Sequence, residues 1–236
     1  MLAILEKLKK EETMKRKLIF ILSIVAILAI FSPHIIRKAK KIRDRLLVHE
    51  RGYWMDKKVN HYFDKPLAES IASFLKKERA RTVVDLGCGA HGHYVKYLLK
   101  SEISCDGFDG NPYSPEISDG LVRVLDLSEP ITLENTYDWV ISLEVGEHIP
   151  AKYETNFIEN LHRYNTKGII LSWAVEDQKG RGHFNCRNND YIKNLFAQYG
   201  YENDVETENK LRKKARYGWF HNTVMVFRKK VKTITD

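Results

Sequence analysis

This chain of 236 residues has few cysteines and no pattern that would pair them. The three present, Cys88, Cys105 and Cys186, are odd in number and widely spread, which argues against a disulfide framework. Asn-x-Ser/Thr sites for N-glycosylation and internal repeats are also missing. The cysteines and the missing glycosylation sites favour a domain that faces the cytosol, and a lumenal domain stays open as the alternative.

The larger part of the chain also lacks an excess of charge. The formal net charge is +8, but residues 1–50 hold 12 lysines and arginines against 5 aspartates and glutamates. Residues 51–236 hold 27 against 26. The broad basic surface of a DNA- or RNA-binding domain is therefore missing, and a nucleic-acid partner is not expected.

One long apolar run is present, with basic residues on both sides. Residues 18–36 are apolar almost throughout, and 19 residues approach the ~20 needed to cross ~30 Å of hydrocarbon. A buried core helix would show a polar stripe, and a cleaved signal peptide would not place Pro33 near its cleavage site. We therefore expect a single-pass membrane anchor. The predicted organisation is a basic tail (1–17), the anchor (18–36), a basic connector (37–50) and a globular domain (51–236).

Short apolar strands alternate with helical patterns after residue 80. Residues 54–80 have helical periodicity that is interrupted near Pro66. The strand patterns lie at 81–87, 103–109, 121–127, 137–144, 168–175 and 223–230, and the clearest helical patterns at 93–102, 151–164 and 189–200. Such alternation predicts an α/β domain with a doubly wound, mostly parallel sheet. Ligands of these sheets bind beyond the carboxyl ends of the strands.

Three glycines follow the first of these strands. Gly87, Gly89 and Gly92 form G-x-G-x-x-G between a strand and a helix, a pattern that allows a tight turn, close approach of a ligand and free N–H groups at a helix N-terminus. Taken alone, the pattern also fits a dinucleotide. Asp85 argues against that ligand, because a pyrophosphate gains nothing from a carboxylate two residues before the loop.

Acidic residues close the next two strands. Asp109 lies 22 residues after Gly87, where a carboxylate can accept hydrogen bonds from both ribose hydroxyls. Asp126 could accept from an adenine amino group while Leu127 packs on the ring. A turn-forming or helix-capping carboxylate is an equal interpretation of Asp126.

Four motifs in this order resemble the class I S-adenosylmethionine-dependent methyltransferases, over roughly residues 80–229. They are "VVDLGCGAHGHY", "GFDGN", "VLDL" and "WVISLEVGEHIP". The resemblance implies a seven-stranded sheet with an antiparallel last strand, and S-adenosylmethionine as the cofactor. It implies that the glycine loop holds the methionine part with Asp85 near its amino group, Asp109 the ribose and Asp126 the adenine. The short connection after the second strand departs from the family pattern.

Residues that receive the methyl group or assist its transfer should follow the fourth and fifth strands. After the fourth come Glu144, Glu147 and His148; His148 is a candidate general base, and Glu144 is expected mainly to line the methionine end of the site. The loop 172–190 should form the acceptor side. In that loop, His183 is a second base candidate, and Asn185 and Arg187 could orient the acceptor.

No metal site is expected. Cys88, His91 and His93 have a tempting spacing, but they lie in the glycine loop, where a metal would compete with the cofactor. The sequence thus predicts a membrane-anchored methyltransferase that acts on a small-molecule, lipid-linked or glycan acceptor. A protein methyltransferase, a non-catalytic binding scaffold and an NAD-dependent oxidoreductase stay open as alternatives, and the oligomeric state is left unassigned.

Overall fold

The structure is a computed structural model that describes residues 47–59 and 61–230, together with Arg16, Ser23 and Pro33. The chain divides into residues 1–46 and residues 47–236, and all elements named below belong to the second unit. Its helices are α1 (Lys65–Lys77), α2 (His93–Lys100), α3 (Ser114–Ile117), α4 (Glu154–Arg163), α5 (Asn189–Gln198), α6 (Val205–Lys214) and α7 (Phe220–Thr223). Its strands are β1 (Thr82–Leu86), β2 (Ser104–Asp109), β3 (Val122–Val124), β4 (Tyr137–Leu143), β5 (Asn165–Ser172), β6 (Tyr201–Asn203) and β7 (Val224–Lys229).

The strands form one sheet in the order β3-β2-β1-β4-β5-β7-β6. Neighbours from β3 to β5 pair in parallel, whereas β7 runs antiparallel to both β5 and β6. The prediction of a mostly parallel seven-stranded sheet with an antiparallel last strand is therefore confirmed. The chain order reverses between β1 and β4, so a ligand crevice is expected at their carboxyl ends.

Both faces of the sheet are buried, as the near-continuous apolar strands require. One face packs on α1, α2 and α6, with Trp139 and Ile170 among the fully buried side chains. The other face packs on α4 and α5, through residues such as Phe157 and Phe196. Two layers of helices thus hold the carboxyl ends of the central strands at one rigid edge.

The region before β1 differs from its predicted form. Helix α1 begins only at Lys65, with Pro66 in its first turn and Asp64 as its N-cap, whose carboxylate accepts the Leu67 N–H at 3.0 Å. Proline is tolerated in the first turn of a helix but not in its interior, so Pro66 marks the start of α1 and the helical periodicity of residues 54–64 is not realised. That segment instead crosses the carboxyl edge of the sheet. The strand predicted at 121–127 is also shorter, since only Val122–Val124 pair with β2.

Among the described residues, no helix is both long enough and apolar enough to cross a bilayer. The predicted anchor, residues 18–36, lies outside the described residues apart from Ser23 and Pro33.

Candidate functional site

The glycine loop leaves the carboxyl end of β1 in a conformation that side chains disfavour. Gly87 and Gly89 have φ angles of +87° and +69°. A Cβ atom on Gly87 would also collide with the side chain of Val145 from the loop after β4. Gly87 and Cys88 both donate their N–H groups to the carbonyl of Phe108, at 2.8 and 3.0 Å. The amides at the start of the loop therefore hold its shape against β2.

Asp85 lies beneath this loop and is 2% exposed. Burial raises the pKa of Asp85 to about 8, and the charge of Asp109 adds to the rise. Its carboxyl group is therefore largely protonated at neutral pH until a positive group arrives beside it.

Asp109 ends β2 and turns its carboxylate towards the glycine loop. Its two oxygens accept the N–H groups of Gly89 and Asn111, each at 2.9 Å. Burial raises the pKa of Asp109, and burial lowers the pKa of the adjacent His61. The ring of His61 lies against Gly89, and its buried Nε2 atom has no hydrogen-bond partner.

Asp126 and Leu127 lie on the far side of Asp109, after β3. Leu127 is 5% exposed. One oxygen of Asp126 accepts from the Ser128 N–H at 2.9 Å, which is the turn-forming role considered for it. The other oxygen accepts from Arg51 at 3.0 Å, so a ligand amino group at this position would share Asp126 with a guanidinium.

Residues 47–63, here called the strap, cover this edge of the sheet. Asn60 is not among the residues that the structure describes. An ion pair of 2.7 Å joins Lys57 to Glu116, and the Asn111 side chain donates to the Asp56 carbonyl at 3.0 Å. Tyr53 packs so closely on Gly110 that a Cβ there would not fit. The sequence analysis assigned helical periodicity to residues 54–80 and missed the strap, although the interruption at Pro66 argues against a continuous helix.

Glu144 follows β4 in a left-handed conformation, with φ at +56°. Its oxygens accept from Thr223 at 3.1 Å and from Gln178 at 2.9 Å, and its N–H donates to the Ser172 hydroxyl at 2.8 Å. Burial raises the pKa of Glu144. A residue with a side chain keeps a left-handed conformation only where contacts with its neighbours stabilise it. Such strained residues are typical of functional sites.

Glu147, His148 and His183 lie together beyond the carboxyl ends of β4 and β5. The loop after β5 reaches the loop after β4 because the N–H groups of Phe184 and Asn185 both donate to the carbonyl of Glu147, at 2.8 and 2.9 Å. The rings of His148 and His183 then lie with centroids 5.1 Å apart. The sequence analysis named Glu147 without giving it a role, because its partner in the fold is 36 residues away.

The charges in this cluster are strongly affected by burial. Glu147 is 0% exposed, and burial together with the charge of Glu144 raises its pKa well above the usual range. Burial, with a contribution from His183, lowers the pKa of His148 to about 4. His148 is consequently a neutral ring at physiological pH and a weaker base than an ordinary histidine.

Two other residues predicted to orient an acceptor have a structural role instead. Asn185 is 4% exposed and donates to Glu154 at 2.7 Å, and Arg187 donates to the same carboxylate at 2.8 Å. Tyr191 also bonds to Glu154. These bonds fix the loop 172–190 to α4, so this prediction is wrong for Asn185 and Arg187.

A cavity of about 500 Å³ joins these parts. Its walls include all the predicted cofactor-binding and base residues except Gly92, which lies at the start of α2 where the backbone turns into the helix. The strap and the loop after β5 add further lining residues. They include Gly52 and Tyr62 of the strap and Gln178 of the loop after β5, and Trp219 before α7 also lines the cavity.

Comparisons with known proteins agree with this geometry. Residues 59–206 match the family model described as "Methyltransferase domain". A probable tocopherol O-methyltransferase from Oryza sativa subsp. japonica is 28% identical over 112 residues, which cover 42% of this chain and 30% of that protein. Norajmaline N-methyltransferase from Rauvolfia serpentina is 25% identical over 111 residues, which cover 41% and 37%. The matches thus span about a third of the length of these curated relatives.

The fold also matches solved structures. Magnesium protoporphyrin IX methyltransferase from Synechocystis PCC 6803, with bound SAH, superposes with a TM-score of 0.53 at 18% identity, covering 69% of this chain and 82% of that one. An amino pentose methyltransferase from Micromonospora echinaspora, with bound SAM, gives a TM-score of 0.55 at 13% identity, covering 73% and 99%. At such identities the likeness is one of fold.

Proposed function

We propose that this chain, which belongs to the methyltransferase-domain family and is an S-adenosylmethionine-dependent methyltransferase, methylates a hydroxyl group of a small or lipid-linked molecule. The observation that carries the proposal is the acceptor side of the cavity, which is aromatic at its mouth and partly covered by the strap. The relatives that match are named for acceptors of small-molecule size.

The residues of the cavity fit the cofactor. Asp85 and Asp109 place two carboxyl groups in a buried space, and each is harder to ionise than usual because of burial. Such a space suits a ligand with positive charge, and S-adenosylmethionine carries an ammonium and a sulfonium. We assign Asp85 to the ammonium group and Asp109 to the ribose hydroxyls. Asp126 and Leu127 would hold the adenine.

S-adenosylmethionine supplies a methyl group that its sulfonium already activates. The chain therefore has to orient the acceptor and exclude water. Glu144, held by Thr223 and Gln178, lies between the glycine loop and the loop after β5 and shapes the junction of the two sides. The hydroxyl proton has to leave on the acceptor side of the cavity, which Glu147, His148 and His183 line.

Aromatic rings form the mouth of the acceptor side. Tyr217 and Trp219 stack in parallel with centroids 4.6 Å apart, and Tyr62 packs edge-on against both. Tyr62 is nevertheless 75% exposed. Exposed aromatic surface at the mouth of a cavity is typical of a site that receives an apolar or ring-bearing ligand.

Labelling with the methyl-tritiated cofactor tests this function. The full chain is incubated with separate lipid, small-molecule, protein and RNA fractions, and label is expected in the first or second. Tyr62→Ala should lower transfer several-fold while cofactor binding persists, whereas Tyr199→Ala at the opposite edge of the sheet should not. Label found only in protein would favour the alternative protein methyltransferase, and cofactor binding without transfer to any fraction would favour a binding scaffold.

The membrane anchor is part of the same proposal. What supports it is the apolar length of residues 18–36 and the 12 basic residues around them, against a nearly neutral remainder. An anchor would hold the cavity near a membrane, where a lipid-linked acceptor is concentrated. We further propose that the domain faces the cytosol, on the absence of glycosylation sites and of a disulfide pattern.

A further inference from the structure

Glu147, His148 and His183 form a cluster with unused ligand atoms. One donor atom from each residue lies within 4.8 Å of the others, and the Nε2 atom of His183 is 4.0 Å from Glu147 Oε1. Glu147 is completely buried, and neither of its carboxylate oxygens makes a hydrogen bond of good geometry, although the N–H groups of Glu147 and Ala174 and the carboxyl group of Glu144 lie near them. A buried polar group without partners costs about 1–3 kcal/mol, and more when it is charged, so such a group calls for an explanation.

The hydrogen bonds of the two histidines point to the same explanation. His148 Nδ1 lies 2.9 Å from the carbonyl of Gly182, and His183 Nδ1 lies 2.9 Å from the carbonyl of Gln178. A carbonyl only accepts, so each Nδ1 carries a proton, and the Nε2 atom of each ring is the one available to a metal ion. Orientation of the imidazole by a backbone carbonyl is the usual arrangement around metal-bound histidines.

We propose that Glu147, His148 and His183 bind one divalent first-row transition metal ion at the acceptor side of the cavity. Two imidazoles and one carboxylate suit zinc, manganese, iron or cobalt better than magnesium or calcium, which prefer oxygen ligands. Ligand atoms around such an ion are ~3–3.5 Å apart, so closing the present separations needs side-chain movements of ~1 Å. This proposal departs from the sequence analysis, which expected no metal site. The cluster lies outside the glycine loop, so a metal there would not compete with the cofactor for that loop.

Three protein ligands leave coordination positions open, as in catalytic rather than structural sites. Glu147, His148 and His183 all line the cavity, so the open positions face the space where the acceptor is placed. An acceptor oxygen bound there would become more acidic and would be held in position for the methyl group. This use of the metal rests on the proposed function, whereas the binding of the metal does not.

Cobalt titration of the full chain tests the site. The purified chain is stripped with a chelator, titrated with Co²⁺ and followed by the visible absorption of the metal, with the bound amount measured by elemental analysis after desalting. One equivalent per chain is expected. His183→Ala and Glu147→Gln should each weaken Co²⁺ binding at least ~10-fold. His162→Ala is the matched control, because His162 contacts Tyr201 and Tyr199 away from this cavity.

The Gly180→Ala variant tests the metal site a second time without removing a metal ligand. A Cβ on Gly180 would collide with the His183 ring, so this variant should also lose Co²⁺ while the thermal unfolding of the domain changes little. No bound metal in the wild type, or equal affinity in the His183→Ala and His162→Ala variants, would overturn the proposal. Cofactor affinity measured on the same samples keeps the two proposals separate, since loss of the metal alone leaves the cofactor site intact.

Discussion

Single residues at the carboxyl edge carry the chemistry of this protein, and several could be identified from sequence. Gly87, Asp109 and Glu144 were predicted to line the ligand site because each lies at the carboxyl end of a strand whose apolar run is easy to recognise. The side chains around Glu147 could not be predicted in the same way. Their meeting depends on hydrogen bonds between two loops that are 36 residues apart in the chain.

Asp85 should connect cofactor binding to proton release. Its pKa of about 8 means that the free protein holds a proton there at pH 7, while an ammonium ligand requires the carboxylate. Affinity for S-adenosylmethionine should therefore rise with pH from 6 to 8, by up to ~10-fold per unit, and level off above. Calorimetric titration at pH 7 in buffers of different ionisation enthalpy should detect release of close to one proton.

Asp85 should lower the free energy of unfolding over the pH range in which it raises cofactor affinity. A carboxyl group with a raised pKa in the folded state makes unfolding easier as pH rises from about 4 to 8. Asp85→Asn should remove that loss, so the variant should be more stable than the wild type at pH 8 by at least ~1 kcal/mol while it binds the cofactor less tightly. Equal stability of the two proteins at pH 8 would show that Asp85 is not strained by burial.

At the scale of elements, the strap closes the cavity and depends on a glycine. Gly52 has φ at +101°, and a Cβ there would strike the carbonyl of His148. Gly52→Ala should displace the strap, admit water and weaken cofactor binding by ~10-fold. Gly218→Ala is the control, because nothing lies within 4 Å of a Cβ at that exposed position. If both variants bind the cofactor as the wild type does, the strap is not part of the binding site.

Arg228 joins three elements at a distance from the cavity. Its guanidinium contacts both oxygens of Glu78 after α1, at 2.7 and 2.9 Å, and Asp204 before α6 at 2.7 Å. It is 39% exposed, so Arg228→Met should cost only ~1–2 kcal/mol of unfolding free energy. Thermal unfolding followed by tryptophan fluorescence measures the loss. Lys210→Met, which removes an exposed pair with Glu206, should cost under ~0.5 kcal/mol.

The pH dependence of the Arg228 effect has a definite sign. The hydrogen bond from Arg228 lowers the pKa of Glu78. A lowered carboxyl pKa contributes stability that is present at pH 7 and is lost as pH falls through that pKa. The difference between wild type and Arg228→Met should therefore shrink below about pH 4, and a difference that grows on acidification would contradict the assignment.

The order of elements was more predictable than their exact extent. Alternating apolar and helical patterns were sufficient for the sheet, because parallel strands buried on both faces leave a strong signal. The strap was missed because its helical periodicity is local, whereas its actual course is set by contacts with Glu116 and Asn111, more than 50 residues away. Tertiary contacts of this kind override local propensity.

At the scale of the whole molecule, charge separates residues 1–50 from the rest of the chain. If residues 18–36 anchor the protein, alkaline carbonate and high salt should both leave it in the membrane pellet, since neither breaks hydrophobic insertion. Replacing Ile24 and Ile27 with arginine should release it into the soluble fraction. Release of the wild type by salt alone would indicate that the basic residues merely adhere to the membrane surface.

The central claim is that the carboxyl edge of this sheet binds S-adenosylmethionine through Asp109 and the glycine loop. Calorimetric titration of the full chain with S-adenosylmethionine tests it most directly, alongside Asp109→Ala and, as a control from the same strand, Asp106→Ala, whose carboxylate bonds Tyr137 and Arg123 instead. One site per chain is predicted, weakened at least ~10-fold by Asp109→Ala and little changed by Asp106→Ala. No binding by the wild type, or unchanged affinity after Asp109→Ala, would contradict the account.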